Sequence, residues 1–254
     1  MESSMYDDFY RMESWHWWFV ARRKIVLSLL EKYLPRQSDL KILDVGCGTG
    51  LMLEHLRPFG AVEGMDSSQE AISYSKRLVG ETVWQGALPE ALQGISDKYD
   101  IITALDVIEH IEDDLAALRA ISGALAPGGR LLCTVPAFNF LWSAHDTINH
   151  HKRRYRKPEL QAKLQAAGLT VKKISYYNTL LFPLIAATRM LGSRFQKKAA
   201  GHRGESDVKP VIAPINFALC SVFGFEKHLL KAINLPFGVS LIAVAEKRSY
   251  GNKG

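Results

Sequence analysis

Two segments of this sequence hold residue types that could do chemistry. The first is the glycine-rich run 43–50, LDVGCGTG, which follows a short apolar stretch. Glycines there let the chain turn sharply and let a ligand contact the backbone, while a following helix offers N–H groups to an anion. The second segment carries three histidines and an acid within seven residues, and it could supply a general base: His145, Asp146, His150 and His151.

The spacing within the glycine-rich run separates two kinds of ligand. Gly46, Gly48 and Gly50 follow the pattern G-x-G-x-G, whereas a dinucleotide fingerprint has the pattern G-x-G-x-x-G. Asp44 adds a carboxylate, which would repel a pyrophosphate and attract an ammonium group. The pattern therefore favours a ligand with a carboxylate for the helix end and a cation for Asp44, as in an amino acid.

A second acid extends this ligand. Asp66 closes the next predicted strand, about twenty residues after the first glycine, where a carboxylate can accept hydrogen bonds from both hydroxyls of a ribose. An amino acid joined to a ribose describes S-adenosylmethionine. The alternative is a structural turn beside a chance acid, but the glycines, strand, helix and second acid agree on the cofactor.

The elements that position these residues alternate along the chain. Apolar runs predict strands at 41–45, 61–65, 82–84, 99–105, 130–136, 169–176 and 239–246. Helices are predicted at 15–34, 51–59, 67–79, 112–125 and 158–167. This alternation predicts an α/β fold with a mostly parallel sheet and helices on both faces, in which ligands bind at the carboxyl ends of the strands.

A long segment, 178–236, interrupts the alternation before the last strand. Its ends are apolar and its middle, Ser193–Lys209, is polar, so we expect two helices joined by a mobile loop. The helices could cap an apolar substrate, dock on a membrane, form a dimer interface or be a plain subdomain, and we favour the cap. The predicted divisions are an N-terminal helical lid (1–38), a cofactor-binding core (39–177), this insertion (178–236) and the last strand with the tail (237–254).

Composition excludes several classes of protein. The 254 residues are 47% hydrophobic, which is enough for a buried core. The three cysteines fit neither a disulfide framework nor a zinc pair, which indicates a reducing compartment. The N-terminus lacks the pattern of a secretory signal, and no apolar stretch approaches the roughly 18 residues of a membrane span. We therefore expect a cytoplasmic protein, with peripheral contact at the inner face of the membrane left open.

The net charge of +6 is unevenly distributed. Residues 152–209 contain 14 Lys and Arg against 3 Asp and Glu, a net charge of +11, and the remainder carries −5. This basic flank begins beside the histidine segment. It predicts an anionic group on the bound molecule, or a membrane surface, near the site rather than a protein that coats nucleic acid.

Four motifs, in this order and spacing, resemble the core of class I S-adenosylmethionine-dependent methyltransferases: ILDVGCGTG, VEGMDSS, YDIITALDVIEHIEDD and LAPGGRLLCTVP. The resemblance covers residues 41–136 and implies a Rossmann-like, doubly wound sheet of seven strands. It implies that the three glycines pass under the methionine part of the cofactor, that Asp44 meets its amino group and that Asp66 holds the ribose. The further cofactor-site residues it implies are Cys47, Ser67, Ala87, Leu88, Asp106 and Val107.

One position departs from the pattern of these enzymes. Many relatives carry an Asp after the third strand that contacts the adenine amino group, and Ala87 stands at or near that place. We therefore expect backbone at Ala87 and Leu88, and packing on Met65 or Leu88, to hold the adenine. The product would be S-adenosylhomocysteine.

Methyl transfer from a sulfonium is an in-line displacement, in which the protein aligns the reacting atoms at about 3 Å and excludes water. A base helps when the nucleophile is a hydroxyl, an amine or an acidic carbon. We take His145 as the first choice of base, with Asp146, His150 and His151 as alternatives and Tyr155 as a positioning hydroxyl. The same residues could instead cap a loop, and their spacing does not favour a metal site.

Aromatic residues near the N-terminus suggest how the substrate is held. Three tryptophans in four residues, Trp15, Trp17 and Trp18, cannot all face inward on a helix, so a lid lined with rings would fit an apolar substrate. Arg22 could bind an anionic group, and Trp142 stands at the start of the histidine segment. Ordinary core packing is the alternative for each tryptophan.

Three functions remain open from the sequence. The first is a methyltransferase for a small, apolar, lipid-linked or prenyl-linked acceptor, assisted by a histidine base. The second is a nucleic-acid methyltransferase that uses the basic segment 150–157, although no Asn-Pro-Pro-Tyr motif or RNA-binding module accompanies it. The third is a non-catalytic regulatory protein that binds S-adenosylmethionine.

Overall fold

The computed structural model describes residues 10–34, 39–80, 82–196 and 211–249. Within these ranges the strands are β1 (Leu40–Val45), β2 (Gly60–Asp66), β3 (Val83–Gln85), β4 (Tyr99–Leu105), β5 (Leu125–Pro136), β6 (Leu169–Tyr177) and β7 (Ser240–Lys247). The helices are α1 (Trp17–Tyr33), α2 (Leu51–Leu56), α3 (Gln69–Val79), α4 (Asp114–Ala124), α5 (Ala144–Ile148), α6 (Lys157–Ala166), α7 (Phe182–Gln196) and α8 (Ala213–Ala232).

The seven described strands form one sheet in the order β3-β2-β1-β4-β5-β7-β6. Only β7 runs antiparallel to its neighbours, β5 and β6, among these strands. The strand order reverses between β1 and β4, and a crevice opens there at the carboxyl ends of the strands. The predicted α/β class and mostly parallel sheet are confirmed. The main difference from the predicted strands is that β5 begins at Leu125 and not at residue 130. Leu125 already pairs with Tyr99 of β4, across a register shift.

Helix α1 is packed into the fold along most of its length. Ala21, Ile25 and Leu29 are fully buried, and they belong to an apolar cluster with Ile42 of β1 and Ile101 of β4. The helix ends at Tyr33, ahead of Pro35, as the sequence predicts. A separate N-terminal lid at 1–38 stays a prediction, but α1 itself forms part of the core on one face of the sheet.

The insertion contains the two predicted helices, α7 and α8. Phe223 of α8 is fully buried and stacks on Tyr177 at the end of β6, with ring centroids 5.9 Å apart. The buried Glu226 accepts hydrogen bonds from the backbone N–H groups of Thr179 and Leu180, at 2.7 and 2.8 Å, and so links α8 to the start of α7. Helix α7 takes in the first part of the predicted loop Ser193–Lys209, and positions 197–209 of that loop lie outside the described residues.

No helix within the described ranges is both long enough and apolar enough to cross a bilayer.

Candidate functional site

The carboxyl ends of β1, β2, β4 and β5 open into a cavity of about 1380 Å³. Ligand pockets for one small molecule are typically about 300–1,000 Å³, so this cavity has room for two molecules side by side. Its walls come from the glycine-rich run, the end of β4, the first turns of α1, the histidine segment and α7. The predicted cofactor residues in these walls are Asp44, Gly46, Cys47, Gly48, Asp66, Ser67, Ala87, Leu88, Asp106 and Val107.

The glycine-rich run forms an open cradle. The N–H groups of Gly46 and Cys47 both donate to the carbonyl of Met65, at 2.7 and 3.0 Å, which folds the run over the end of β2. A Cβ on Gly48 would meet no atom within 4 Å, so the backbone there faces open space that a ligand can occupy. Gly50 lies behind the cradle, where a Cβ would come within 2.9 Å of Ser75 Cα. The run therefore fits the amino-acid part of a cofactor.

Asp66 is tied to the cradle. Its Oδ2 accepts the N–H of Gly48 at 3.0 Å and its Oδ1 accepts the N–H of Ser68 at 2.9 Å. Burial raises the pKa of Asp66, and the backbone donors at Ser68 and Gly48 act in the opposite direction. Each carboxylate oxygen keeps a second lone pair, so Asp66 can still accept hydrogen bonds from ribose hydroxyls.

Asp44 lies deeper in the same site and is 2% exposed. Its Oδ1 accepts a hydrogen bond from Thr103 Oγ1 of β4 at 2.5 Å. Burial raises the pKa of Asp44 to about 7, against the opposing hydrogen bond from Thr103. A cation placed above this carboxyl group would stabilise its ionised form.

Arg22 reaches from α1 to the end of β4. Its Nη2 lies 3.0 Å from Oδ2 of Asp106, whose other oxygen accepts a hydrogen bond from Thr134 Oγ1 at 3.0 Å. The Nε atom of Arg22 is buried and has no hydrogen-bond partner among the described residues. Sequence reasoning assigned Arg22 to the substrate, whereas the structure places it beside the cofactor cradle, with a donor that suits the carboxylate of an amino acid.

The histidine segment is organised by a single carboxylate. Asp146 is fully buried, and its oxygens accept from Nε and Nη2 of Arg154 and from Nδ1 of His151, each at 2.8 Å. Burial alone would raise the pKa of Asp146, but the hydrogen bonds from His151 and Arg154 hold it well below its usual range. Asp146 does not border the cavity. The prediction that Asp146 could act as the base is therefore corrected, because its oxygens accept hydrogen bonds from His151 and Arg154.

His151 faces the cavity from this arrangement. Its Nδ1 must carry the hydrogen, because a carboxylate can only accept, and Nε2 is therefore the ring nitrogen that can take a proton. The ring of His110 packs edge-on against it with centroids 4.7 Å apart. Burial lowers the pKa of His110 to about 4, which keeps that ring uncharged at neutral pH.

Glu109 and His110 are site residues that the sequence reasoning missed. Residues 108–110 form a short 3-10 turn after β4, and Glu109 and His110 border the cavity. Both carboxylate oxygens of Glu109 are buried without a hydrogen-bond partner among the described residues, and burial followed by the charge of Asp106 raises its pKa well above the usual range. Ligand-type atoms of Glu109, His110 and His151 lie within 4.8 Å of one another. The sequence signal that could have identified these two site residues is an acid followed by a histidine just after the fourth strand.

The other predicted catalytic residues have different positions. His145 and His150 border the cavity, and the ring nitrogens of His145 lie 3.2 Å from Nδ2 of Asn149. Tyr155 does not reach the cavity: it is fully buried and its hydroxyl donates to Oδ2 of Asp114 at 2.7 Å. The expectation that Tyr155 positions a substrate is therefore corrected, because its hydroxyl is used inside the core.

Three of the five Lys and Arg residues in the basic segment 150–157 have acidic partners within the fold. Arg154 pairs with Asp146 at 2.8 Å, Arg153 pairs with Asp114 at 2.9 Å, and Lys152 lies 3.7 Å from Glu112. Binding to nucleic acid needs basic groups that are free to contact phosphates. These ion pairs weaken the observation that prompted the prediction of a nucleic-acid methyltransferase.

Aromatic residues line the outer half of the cavity. Trp17, Trp18 and Phe19 border it, and Trp18 stacks on Phe223 of α8 with centroids 5.4 Å apart. Trp142 also borders the cavity, whereas Trp15 is 42% exposed and does not. The insertion adds Ile185, Thr188 and Arg189 of α7 to the same wall. The aromatic wall is thus built by Trp17 and Trp18, and the expectation for Trp15 is corrected.

Comparisons with known proteins agree with this geometry. A family model described as "Methyltransferase domain" matches residues 14–174. A ubiquinone biosynthesis O-methyltransferase of Coxiella burnetii (strain Dugway 5J108-111) is 32% identical over 136 residues, which are 49% of this chain and 58% of that protein. The chain thus spans less than two thirds of this curated relative's length.

Solved structures share the fold. An S-adenosylmethionine-dependent methyltransferase from Mesorhizobium loti superposes with a TM-score of 0.54 at 16% identity, over 86% of this chain and 96% of the other. Phosphoethanolamine N-methyltransferase 2 of Haemonchus contortus, solved with S-adenosylhomocysteine, gives a TM-score of 0.54 at 16% identity, over 88% and 52% of the chains. With the family match over most of the chain, the cradle and the acids around it, this protein belongs to the S-adenosylmethionine-dependent methyltransferases of class I.

Proposed function

We propose that this protein transfers the methyl group of S-adenosylmethionine to an oxygen atom of a small, apolar acceptor that carries a prenyl or lipid chain, with His151 as the base. The observation that carries this proposal is the hydrogen bond from His151 Nδ1 to the buried Asp146, at 2.8 Å, at the border of the cavity. The name of the curated relative, an O-methyltransferase of ubiquinone biosynthesis, supports oxygen as the methylated atom.

When bound, S-adenosylmethionine supplies an electrophilic methyl group on a sulfonium. His151 Nε2 accepts the proton of the acceptor hydroxyl while the oxygen forms its bond to the methyl carbon. The bound cofactor would supply the methyl group and its leaving group, because the electron pair of the carbon–sulfur bond would stay on the sulfur of S-adenosylhomocysteine. Asp146 holds the ring in one orientation and stabilises the imidazolium that forms, as an orienting carboxylate does in other histidine bases.

His151 is a better base in this geometry than His145, the first choice from the sequence. His151 has a buried, ionised carboxylate on the far side of its ring, whereas His145 has the neutral amide of Asn149 beside it. A carboxylate partner fixes the tautomer and the orientation of the imidazole, so that the other ring nitrogen faces the reacting hydroxyl. His145 and His150 remain close enough to the cavity to contact the acceptor.

The cavity walls support an apolar acceptor with a polar head. Trp17, Trp18 and Phe19 present rings, and Ile185 of α7 adds an aliphatic side chain to the same space. Arg189 borders the same cavity, where its Nη1 donates to the carbonyl of Leu141 at 3.1 Å. Its positive charge supports an acceptor that also carries an anionic group, as the basic flank suggests.

The outer face of α8 supports delivery of the acceptor from a membrane surface. Ile215, Phe217, Val222 and Phe225 are exposed there, with Phe217 at 75%. Apolar side chains on a surface helix can insert at the boundary between headgroups and acyl chains. We expect the protein to sediment with phosphatidylglycerol vesicles. The double variant Phe217→Asp and Phe225→Asp should no longer sediment with them. Gln93→Asp, which adds an acid at an exposed position away from α8, is the control and should sediment as the wild type does. Equal sedimentation of all variants would contradict the membrane step without touching the transfer chemistry.

Transfer of a deuterated methyl group, followed by mass spectrometry, tests the proposed function. The acceptors are a phenol with a prenyl chain, the same phenol without the chain, and the prenyl compound with its hydroxyl already methylated. We expect label only on the free hydroxyl of the first two, with faster transfer to the prenylated one. Label on the blocked compound would place the methyl group on carbon, and the absence of label from both phenols would contradict the acceptor class.

A further inference from the structure

The segment ahead of α1 places an acid over the cofactor cradle. Residues 13–15 form a turn in which the N–H groups of Trp15 and His16 donate to the carbonyl of Met12, at 3.1 and 2.8 Å. Arg23 of α1 donates to the carbonyl of Glu13 at 3.1 Å, which fixes the turn against the helix. The Glu13 side chain borders the cavity, and its Oε2 accepts a hydrogen bond from the hydroxyl of Thr49.

The hydrogen bond from Thr49 places the carboxylate of Glu13 beside the glycine-rich run. Thr49 stands between Gly48 and Gly50 in the cradle, is 1% exposed, and holds only one of the two oxygens of Glu13. No hydrogen bond to the other oxygen, Oε1, is found within the described ranges, so it can accept one from a ligand. Glu13 is therefore held by the same loop that passes under the methionine part of the cofactor.

The charge of Glu13 is not balanced by an ion pair in the described part of the chain. Arg22 is paired with Asp106, and the contact of Arg23 is to the backbone carbonyl of Glu13. Burial raises the pKa of Glu13, although Thr49, Arg22 and Arg23 lower it. Glu13 is half-buried, and a carboxylate that is partly removed from water without a paired cation is unfavourable, so this position favours a ligand that brings a positive charge.

We propose that Glu13 is the counter-ion of the α-ammonium group of S-adenosylmethionine. Arg22, nine positions along the chain, offers its unpartnered Nε to the α-carboxylate, which is attached to the same carbon as the ammonium group. The ammonium has three N–H donors, so Asp44 below and Glu13 above can share it. Thr49 is a positioning residue, because it holds the carboxylate over the cradle.

A consequence concerns the acceptor wall. Glu13 lies four residues before Trp17, so an ion pair between Glu13 and the cofactor ties down the segment that leads into the aromatic wall. We therefore expect S-adenosylhomocysteine to slow hydrogen exchange of the backbone at residues 12–16. The same ligand should not do so in Glu13→Gln.

Calorimetry with four ligands separates this role from a general effect on folding. They are S-adenosylhomocysteine, its analogue without the amino group, its analogue without the carboxylate, and methylthioadenosine, which lacks both groups. Glu13→Gln should weaken binding of the two ligands that keep the amino group by about 10- to 100-fold, the range of a hydrogen bond to a charged group. Binding of the other two ligands should be unchanged.

Two further variants complete the test. Thr49→Val should give a smaller loss with the same dependence on the amino group, because it removes only the positioning hydroxyl. Glu54→Gln, which removes a charge from α2 beside the cradle, should bind all four ligands as the wild type does. Equal weakening of all four ligands in Glu13→Gln, or unchanged binding of S-adenosylhomocysteine, would overturn the proposal. Neither result would contradict the proposed function, which depends on methyl transfer to the acceptor and not on this contact.

Discussion

His151 Nδ1 lies 2.8 Å from Oδ1 of Asp146, and Arg154 grips the same carboxylate through two further hydrogen bonds of 2.8 Å. The carboxylate is fully buried while His151 borders the cavity, so the pair joins the interior of the fold to the site. This hydrogen bond to a buried carboxylate distinguishes His151 from His145 and His150, the other two histidines of the segment.

Replacing His151 should affect catalysis and leave cofactor binding intact. We expect His151→Ala to lower kcat by about 10²- to 10⁴-fold, the usual contribution of a general base. The affinity for S-adenosylhomocysteine, measured by calorimetry, should change by less than about twofold, which corresponds to well below 1 kcal/mol of binding free energy. His145→Ala is the matched control and should keep most of its turnover. The reverse ranking of the two variants would return the role of base to His145.

Replacing Asp146 should affect both stability and catalysis. Asp146→Asn removes the charge that compensates the buried Arg154, and breaking a buried pair by changing one partner typically costs about 3–5 kcal/mol. We expect a loss of that order in the free energy of unfolding, measured with urea, and a lowered kcat in protein that is still folded. Lys152→Gln, which breaks an exposed pair with Glu112, should change stability by less than about 1 kcal/mol. Similar stabilities of the two variants would contradict the proposed role of Asp146.

Replacing Asp66 should weaken cofactor binding. Asp66→Ala removes the acceptor that we propose for the ribose hydroxyls and also frees the N–H of Gly48 in the cradle. We expect the Kd for S-adenosylhomocysteine to rise at least about 10-fold, since a hydrogen bond to a charged group contributes about 1.5–3 kcal/mol. Glu63→Gln alters an acid on the same strand that pairs with Lys98 at the surface, and it should bind normally. Normal binding by Asp66→Ala would contradict the position assigned to the ribose.

The buried Asp44 should make stability depend on pH in the absence of cofactor. Its folded pKa of about 7 is above the ordinary value of 3.8, so the stability it contributes is fully present below 3.8 and is lost as pH rises through 7. We expect Asp44→Asn to remove on the order of 2–3 kcal/mol of the decrease in unfolding free energy between pH 5 and pH 8. The amide oxygen in this variant can still accept the hydrogen bond from Thr103. Urea denaturation at the two pH values checks this, and an unchanged pH dependence would contradict burial as the cause.

Much of the fold and of the cofactor site could be predicted from the sequence because their signals are local. The strands are short apolar runs between turns, Gly48 lies three residues after the end of β1, and Asp66 is the last residue of β2. The geometry of the histidine segment could not be predicted in this way. It depends on Arg154, which comes after the histidines and turns back to Asp146, so a basic run that looks free in the sequence is used inside the fold.

Contacts between distant parts of the chain account for the other differences. Tyr155 is a plausible site residue in the sequence, but its hydroxyl finds Asp114 of α4 across the core. Glu13 and Thr49 lie 36 positions apart, and only the packing of α1 on the sheet brings them together. Glu109 and His110 lie in a short 3-10 turn after β4, and whether their side chains face the cavity depends on how that turn packs.

Chemical rescue is the most direct test of the central claim, which is that His151 accepts the proton during methyl transfer to oxygen. The measurement is the single-turnover rate of methyl transfer to the prenylated phenol by His151→Gly and by His145→Gly, with and without added imidazole. We predict a large loss of rate in His151→Gly, which imidazole partly restores with a dependence on the concentration of its neutral form. No loss of rate in His151→Gly, or rescue of His145→Gly alone, would contradict the account.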